Sequence, residues 1–225
     1  MRAPSTAELR DLVLRQVASL YPVSEQEATR LEAAVPAALA ACERSFSRIR
    51  NKYYAGADGA AVLDPLHGCQ WAQFLYRLAR ALYLTGGGGS PCPLCDKVYA
   101  LGKALSSADL FYQVELPEVF VFDHPLGAVM GRARYGNFFS FGQGCTVGNN
   151  HGSYPEFGES VFMLSDSKVV GDCRIGDFAI ISANAFVKDE DIPSGSIVFG
   201  QSPHLVIKEN RLEYVKNYAE SVFRY

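Results

Sequence analysis

No apolar run in these 225 residues reaches the ~18 needed to cross a bilayer. The opening stretch, MRAPSTAELRDLVLRQ, has neither the apolar segment nor the small-residue cleavage site of a secretory leader. Together these absences give a cytoplasmic expectation. Basic residues, 21 against 24 acidic ones, are scattered without a stripe, which argues against a nucleic-acid partner. Of six cysteines, only Cys92 and Cys95 in PCPLC form a close pair. A structural zinc site wants four ligands, so no metal is expected. A disulfide is a poor expectation in a reducing compartment, and the pair reads as two ordinary thiols in a Pro-rich turn. The glycine run TGGGGS at 85–90 is not followed by G-K-[ST], so it reads as a flexible helix connection rather than a phosphate cradle.

What is present divides into two halves. At 48% hydrophobic the chain can bury one large core or two small ones. The first hundred residues have helical character. Ser5 and Glu8 have capping-box spacing, and Leu9, Leu12, Val13, Val17 and Leu20 follow at helical intervals. A second helix starts at Ser24, with Glu27 three residues on, and Pro36 should kink or end it. Trp71, Phe74, Leu75, Leu78 and Leu82 mark one apolar face of a third, with His67 near its start. A short helix spans about 94–105.

From about residue 114 the period changes. Val129, Tyr135, Phe141 and Val147 are six apart, and so are Met163, Val169, Ile175, Ile181 and Val187. A six-residue apolar repeat with glycine or small neighbours marks a hexapeptide β-helix, in which three repeats make one triangular coil and coils stack to bury a core. The two sets are offset by 16, which is not a multiple of six, so GNNHGSYPEFGES between them leaves the register as an extruded loop.

A helical N-terminal half, then a hexapeptide β-helix beginning at Asp123-His124, then an extruded loop: this arrangement resembles serine O-acetyltransferase. The resemblance implies an α+β fold. It has a helical N-terminal domain at 1–105, a left-handed parallel β-helix at 106–207 and a short C-terminal helical tail at 208–225. It implies homotrimers, which in the family pair into hexamers, and acetyl-CoA as co-substrate with no metal. The family's Asp-His is matched by Asp123-His124, and its carboxylate fifteen residues earlier by Asp109 in SSADLF. QGCTVGN, Gln143 to Asn149, resembles the family's strand before the loop, and GQSPHLVIK, Gly200 to Lys208, resembles its tail. Ser153-Tyr154-Pro155 stand where the family carries Arg-His-Pro, and the chain ends Phe-Arg-Tyr rather than in the isoleucine that docks into cysteine synthase. A cysteine synthase complex is therefore not expected.

The chemistry needs few groups. An alcohol attacking a thioester must lose its proton, and an imidazole is the natural base near neutrality. The resemblance assigns His124 as that base, Asp109 as the carboxylate fixing its tautomer, and Asp123 to acceptor orientation. Asn150, His151 and Tyr154 in the loop are candidates for acceptor contact. The N–H groups of Gly148 and Asn149 are candidates for the oxyanion. The resemblance places the coenzyme in a groove between neighbouring β-helices, with Ser165 and Ala183 at matching positions where small side chains allow close approach. The acceptor is serine or a related small molecule. The competing expectations are a sugar hydroxyl, a non-catalytic trimeric scaffold, and a metal-dependent β-helix lyase. The lyase needs three meeting histidines, and only His124 and His151 lie near suitable coils.

Overall fold

The computed structural model describes residues 4–89 and 92–225. The first three residues of the N-terminal stretch, with Ser90 and Pro91 of TGGGGS and PCPLC, lie outside the described residues. The chain forms two compact units, Met1–Ser47 with Lys52–Gln113, and Arg48–Asn51 with Val114–Tyr225. That division falls at 113/114, and the second unit also takes in a short piece of the first half of the chain.

Helices build the first unit. α1, Thr6–Leu20, begins at a complete capping box: the Glu8 N–H donates to Ser5 Oγ and the Ser5 N–H to the Glu8 carboxylate. Its buried face is Leu9, Val13 and Val17. α2, Glu25–Phe46, is capped in the same way by Ser24 and Glu27. Pro36, expected to kink or end the helix, does not end it: the helix runs on to Phe46. The lost N–H and ring clash cost ~3 kcal/mol in an isolated helix. Burial of Leu31, Val35, Ala38, Cys42 and Phe46 on both sides of the proline offsets that cost. α3, Gly68–Thr85, starts at His67, whose Nδ1 accepts from the Gln70 N–H, and buries Trp71, Phe74, Leu75, Leu78 and Leu82 as their spacing requires. Among the described residues no helix is long and apolar enough to cross a membrane.

α4, Pro93–Ser106, corrects the expectation for the cysteine pair. Cys92 is its N-cap and Cys95 lies in its first turn. That spacing brings the two Cα atoms to 5.1 Å, within disulfide reach, and the sulfurs are bonded. Cys42, Cys69, Cys145 and Cys173 are not in disulfides. Alkylation of the denatured, unreduced chain should therefore modify four thiols, rising to six after reduction, as read by intact mass; six without reduction would contradict the bond.

The second unit is a parallel β-solenoid with three stacked faces. The first face is β1 (Phe120–Phe122), β3 (Phe139–Phe141), β6 (Phe162–Met163), β9 (Ile180–Ile181) and β11 (Ile197–Gln201). The second is β2 (Val129–Met130), β4 (Thr146–Gly148), β7 (Lys168–Val170) and β10 (Phe186–Lys188). The third pairs β5 (Glu156–Phe157) with β8 (Arg174–Ile175). The apolar lattice becomes three columns inside the prism: Phe122, Phe141, Met163, Ile181 and Val198; Met130, Val147, Val169 and Val187; Tyr135, Phe157, Ile175 and Ile192. One position differs from the sequence lattice. Val129 pairs with Thr146, 17 residues on, so Met130 faces inward and Val129 is 40% exposed.

The offset of 16 has a structural origin. Elsewhere neighbouring coils pair residues about 18 apart, as in Phe162 with Ile180, Lys168 with Phe186 and Glu156 with Arg174. Across one coil all three faces pair residues 22 apart: Arg134 with Glu156, Ser140 with Phe162, Thr146 with Lys168. That coil holds four extra residues. They are Asn150–Ser153, where Asn150 and Ser153 exchange both backbone hydrogen bonds, 3.1 and 2.9 Å, around His151 and Gly152. Both turn residues have positive φ, 49° and 86°, the requirement of a tight hairpin matching strand twist. Deleting Asn150–Ser153 should leave an uninterrupted coil. A melting midpoint within a few degrees of the parent, with unchanged circular dichroism, is expected; loss of cooperative unfolding would show the insertion to be structural.

The solenoid ends in β12 (His204–Lys208), which folds back antiparallel on β11 through a cis Ser202–Pro203 turn. α5, Leu212–Val222, follows. The last residues then pair with the piece taken from the first half: Arg50 N–H donates to Val222 O, and Arg224 N–H to Arg48 O. Phe223 and Tyr225 pack on Phe138, which holds a left-handed backbone at one solenoid corner, and Tyr225 O–H bonds Ser160 at 2.6 Å.

Candidate functional site

His124 sits in the turn between β1 and β2, at the first corner of the solenoid. The Asp123 N–H donates to the Phe141 carbonyl and the Gly144 N–H to the Leu126 carbonyl, which ties this turn to the next coil. His124 adopts φ 47°, an uncommon conformation for a non-glycine residue. Its side chain is exposed, and no hydrogen bond to the imidazole occurs among the described residues; Asp123 beside it is also exposed.

The register defines what shares this edge. His124 lies two residues past β1; Gln143, Ser165 and Ala183 each lie two past β3, β6 and β9. The corner is stitched vertically by Asp166 N–H to Gln143 O, 2.8 Å, and Asn184 N–H to Ser165 O, 3.0 Å. With coils stacked at the usual ~4.8 Å, Ser165 is roughly 10 Å and Ala183 roughly 14 Å along the edge from His124. The structure therefore brings His124, Ser165 and Ala183 onto one line. Above Gln143 on that line, Ser165 and Ala183 carry small side chains.

The loop residues lie on the next edge. Gly148 ends β4, paired with Val170, and its carbonyl accepts from the Gly171 N–H at 3.1 Å. Asn149 is exposed, His151 is at the hairpin tip, and Tyr154, 40% exposed, follows the hairpin. The face of β2, β4, β7 and β10 lies between this edge and that of His124. Within one chain Asn150, His151 and Tyr154 are thus on a different corner from His124.

Asp109 belongs to the first unit. Its Oδ1 accepts from Tyr99 O–H and its Oδ2 from Lys103 Nζ, both at 2.6 Å. The carboxylate holds the Lys103 ammonium above its usual pKa; burial, with this hydrogen bond, does the same for the Tyr99 phenol. A carboxylate has about four lone-pair sites, so two remain for further donors. His204 lies on exposed β12 opposite Gln201. A groove of about 740 Å³ runs along the third face, lined by Arg134, Arg174 and the steps Gly136, Gly158 and Gly176. None of the candidate catalytic, acceptor or coenzyme residues lines it. Its glycines have a packing cause: a Cβ on Gly136 would run into the Gly158 carbonyl, and one on Gly176 into the Ser194 N–H.

No family model matches the sequence. The serine acetyltransferase of Staphylococcus aureus is 27% identical over 123 residues, covering 49% of this chain and 57% of that protein. The chain thus spans little more than half the length of this curated relative. The structure of Neisseria gonorrhoeae serine acetyltransferase superposes with a TM-score of 0.71 at 20% identity, over 96% of this chain and 84% of that one. Brucella abortus serine acetyltransferase in complex with coenzyme A gives 0.65 at 20%, over 92% and 83%. The chain has the serine acetyltransferase fold.

On this serine acetyltransferase-like frame, two residues close to the candidate site were not singled out from the sequence. Gln143, part of the QGCTVGN motif, occupies the coil directly above His124. Asp189 bonds the extruded hairpin, Asn150 Nδ2 to Asp189 Oδ2 at 2.6 Å. A signal for it exists, since Asp189 follows Gly171 by one 18-residue coil. It is legible only once the coil length is known.

Proposed function

We propose that the chain is an acetyl-CoA-dependent O-acetyltransferase acting on a small hydroxyl-bearing acceptor, with serine and related hydroxy amino acids the first candidates. The observation carrying it is His124: an exposed imidazole, without a hydrogen-bond partner among the described residues, at the foot of an edge that also bears Ser165 and Ala183. The names of the sequence relatives and the coenzyme A complex of a structural neighbour support the same chemistry.

In this mechanism His124 takes the acceptor's hydroxyl proton as the oxygen attacks the thioester carbonyl, and returns it to the departing coenzyme A sulfur. Asp109 is assigned by the resemblance as the carboxylate that orients the imidazole, and Asp123 to the acceptor. Backbone N–H groups at Gly148 and Asn149 are the proposed oxyanion donors. Ser165 and Ala183 let the coenzyme's pantetheine arm lie close to the edge.

The His124 edge and the loop edge of one chain are separated by a sheet face. The active unit is therefore proposed to be a homotrimer, in which a neighbour's loop faces each His124 edge. The test is coenzyme A release from acetyl-CoA by purified protein against L-serine, related hydroxy amino acids and sugars. Release dependent on one acceptor supports the proposal and names the acceptor class. A sugar-only response would favour the sugar hydroxyl. Failure to bind acetyl-CoA at all would remove the transferase and leave a trimeric scaffold.

A further inference from the structure

We infer that Asp189 is a positioning residue: it braces the extruded hairpin from two coils above and so sets where His151 points. The inference rests on the hairpin bordering the acceptor, as proposed above.

The hairpin is small. A single pair, Asn150 with Ser153, closes it, and isolated two-stranded hairpins are marginal in water. What holds its base is not local. Register places Asn149, Gly171 and Asp189 one above another, each one residue past β4, β7 and β10. Asp189 uses both carboxylate oxygens. Oδ2 accepts from Asn150 Nδ2 at 2.6 Å, and Oδ1 accepts from the Asp172 N–H at 2.9 Å. Its own backbone is left-handed, φ 52°, with its N–H on the Val170 carbonyl, 3.2 Å. Asp189 is therefore fixed from below before it grips the loop.

Gly171 opens the path between the two side chains. A Cβ there would run into Asp189 Oδ1 and lie 2.8 Å from Asn150 Cβ, and its φ of 89° also excludes most side chains. One residue from each of three successive coils, Asn150, Gly171 and Asp189, thus forms a single device. Its charged acceptor gives a stronger bond than a neutral pair would. The brace takes one of the two Asn150 Nδ2 hydrogens, so Asn150 acts on the position of the loop. His151, one residue on, has no hydrogen bond among the described residues and is left free to face the acceptor.

The test separates the brace from its use. Hydrogen–deuterium exchange of full-length protein should accelerate over residues 148–156 in Asp189→Ala and in Asn150→Ala. The KM for the acceptor found in the panel, L-serine tried first, should rise on the order of tenfold, as loss of a charge-assisted bond that orients a site would cause. The KM for acetyl-CoA should hold. The exchanged pair Asn150→Asp with Asp189→Asn restores donor and acceptor in reversed order, and should recover both exchange protection and acceptor KM. Unchanged exchange in Asp189→Ala overturns the brace. Faster exchange with unchanged acceptor KM, or a swap that recovers protection but not KM, overturns the positioning role. A wild-type protein that releases no coenzyme A with any acceptor removes the transferase itself, and with it the role given to the loop, while the exchange data still decide the brace.

Discussion

His124→Asn should lower acetyl-CoA-dependent coenzyme A release by about 10²–10⁴-fold, the usual loss on removing a general base. Asparagine is the informative replacement because of the backbone. His124 holds φ 47°, and asparagine tolerates the left-handed region better than most residues, whereas alanine pays a steric cost there. The exposed side chain packs against no core column, so the melting midpoint should stay within a few degrees. His124→Ala should show the same kinetic loss with a slightly lower midpoint. Binding of acetyl-CoA, read by calorimetry, should persist in both, because the proposed coenzyme edge lies along Ser165 and Ala183. A His124→Asn protein with near wild-type turnover would mean that the proton is taken elsewhere. Loss of both binding and turnover would make His124 a coenzyme ligand rather than a base.

Phe141→Ala should be the most damaging single change to the solenoid, costing about 3–5 kcal/mol. Phe141 is 2% exposed in the first column, its ring 5.0 Å from Phe122 and 6.1 Å from Phe139. Truncation opens a hole between two coils that cannot collapse without shifting strands on both sides. In a chain of this size the melting midpoint should fall by roughly 10 °C or more. Val129→Ala is the matched control. It sits on the same six-residue lattice in the sequence, but at 40% exposure it should change stability by no more than about 0.5 kcal/mol. Met130→Ala should instead behave like a core truncation. Equal losses for Val129→Ala and Met130→Ala would mean that the first coil is registered differently. Urea titration followed by far-ultraviolet circular dichroism gives all three values.

The same contrast marks what could be read without coordinates. A six-residue spacing of apolar side chains is a local property, since each strand and turn repeats the same demand and a coil has no other way to bury its inward residue. The lattice from Met163 to Val187 therefore translated directly into columns, and the jump of 16 was already the arithmetic of two repeats and a four-residue insertion. Helix starts at Ser5 and Ser24 were equally local, being satisfied within four residues. The hydrogen-bonding freedom of His124 was not legible, nor was the occupation of the Asp109 carboxylate by Tyr99 and Lys103, because both depend on what neighbouring elements offer.

The sequence by itself determined the two halves, the hexapeptide solenoid, the extruded loop and the histidine at its first corner, because periodicity and capping act between residues a few positions apart. Only the tertiary structure decided the rest. It turned Met130 inward in place of Val129, carried α2 through Pro36 and bonded Cys92 to Cys95. It also paired Arg48 and Arg50 with the C-terminal residues, and set Asp189 over Asn150 across the gap at Gly171. Each of these is a balance struck between distant segments or competing local costs, and packing rather than spacing sets its sign.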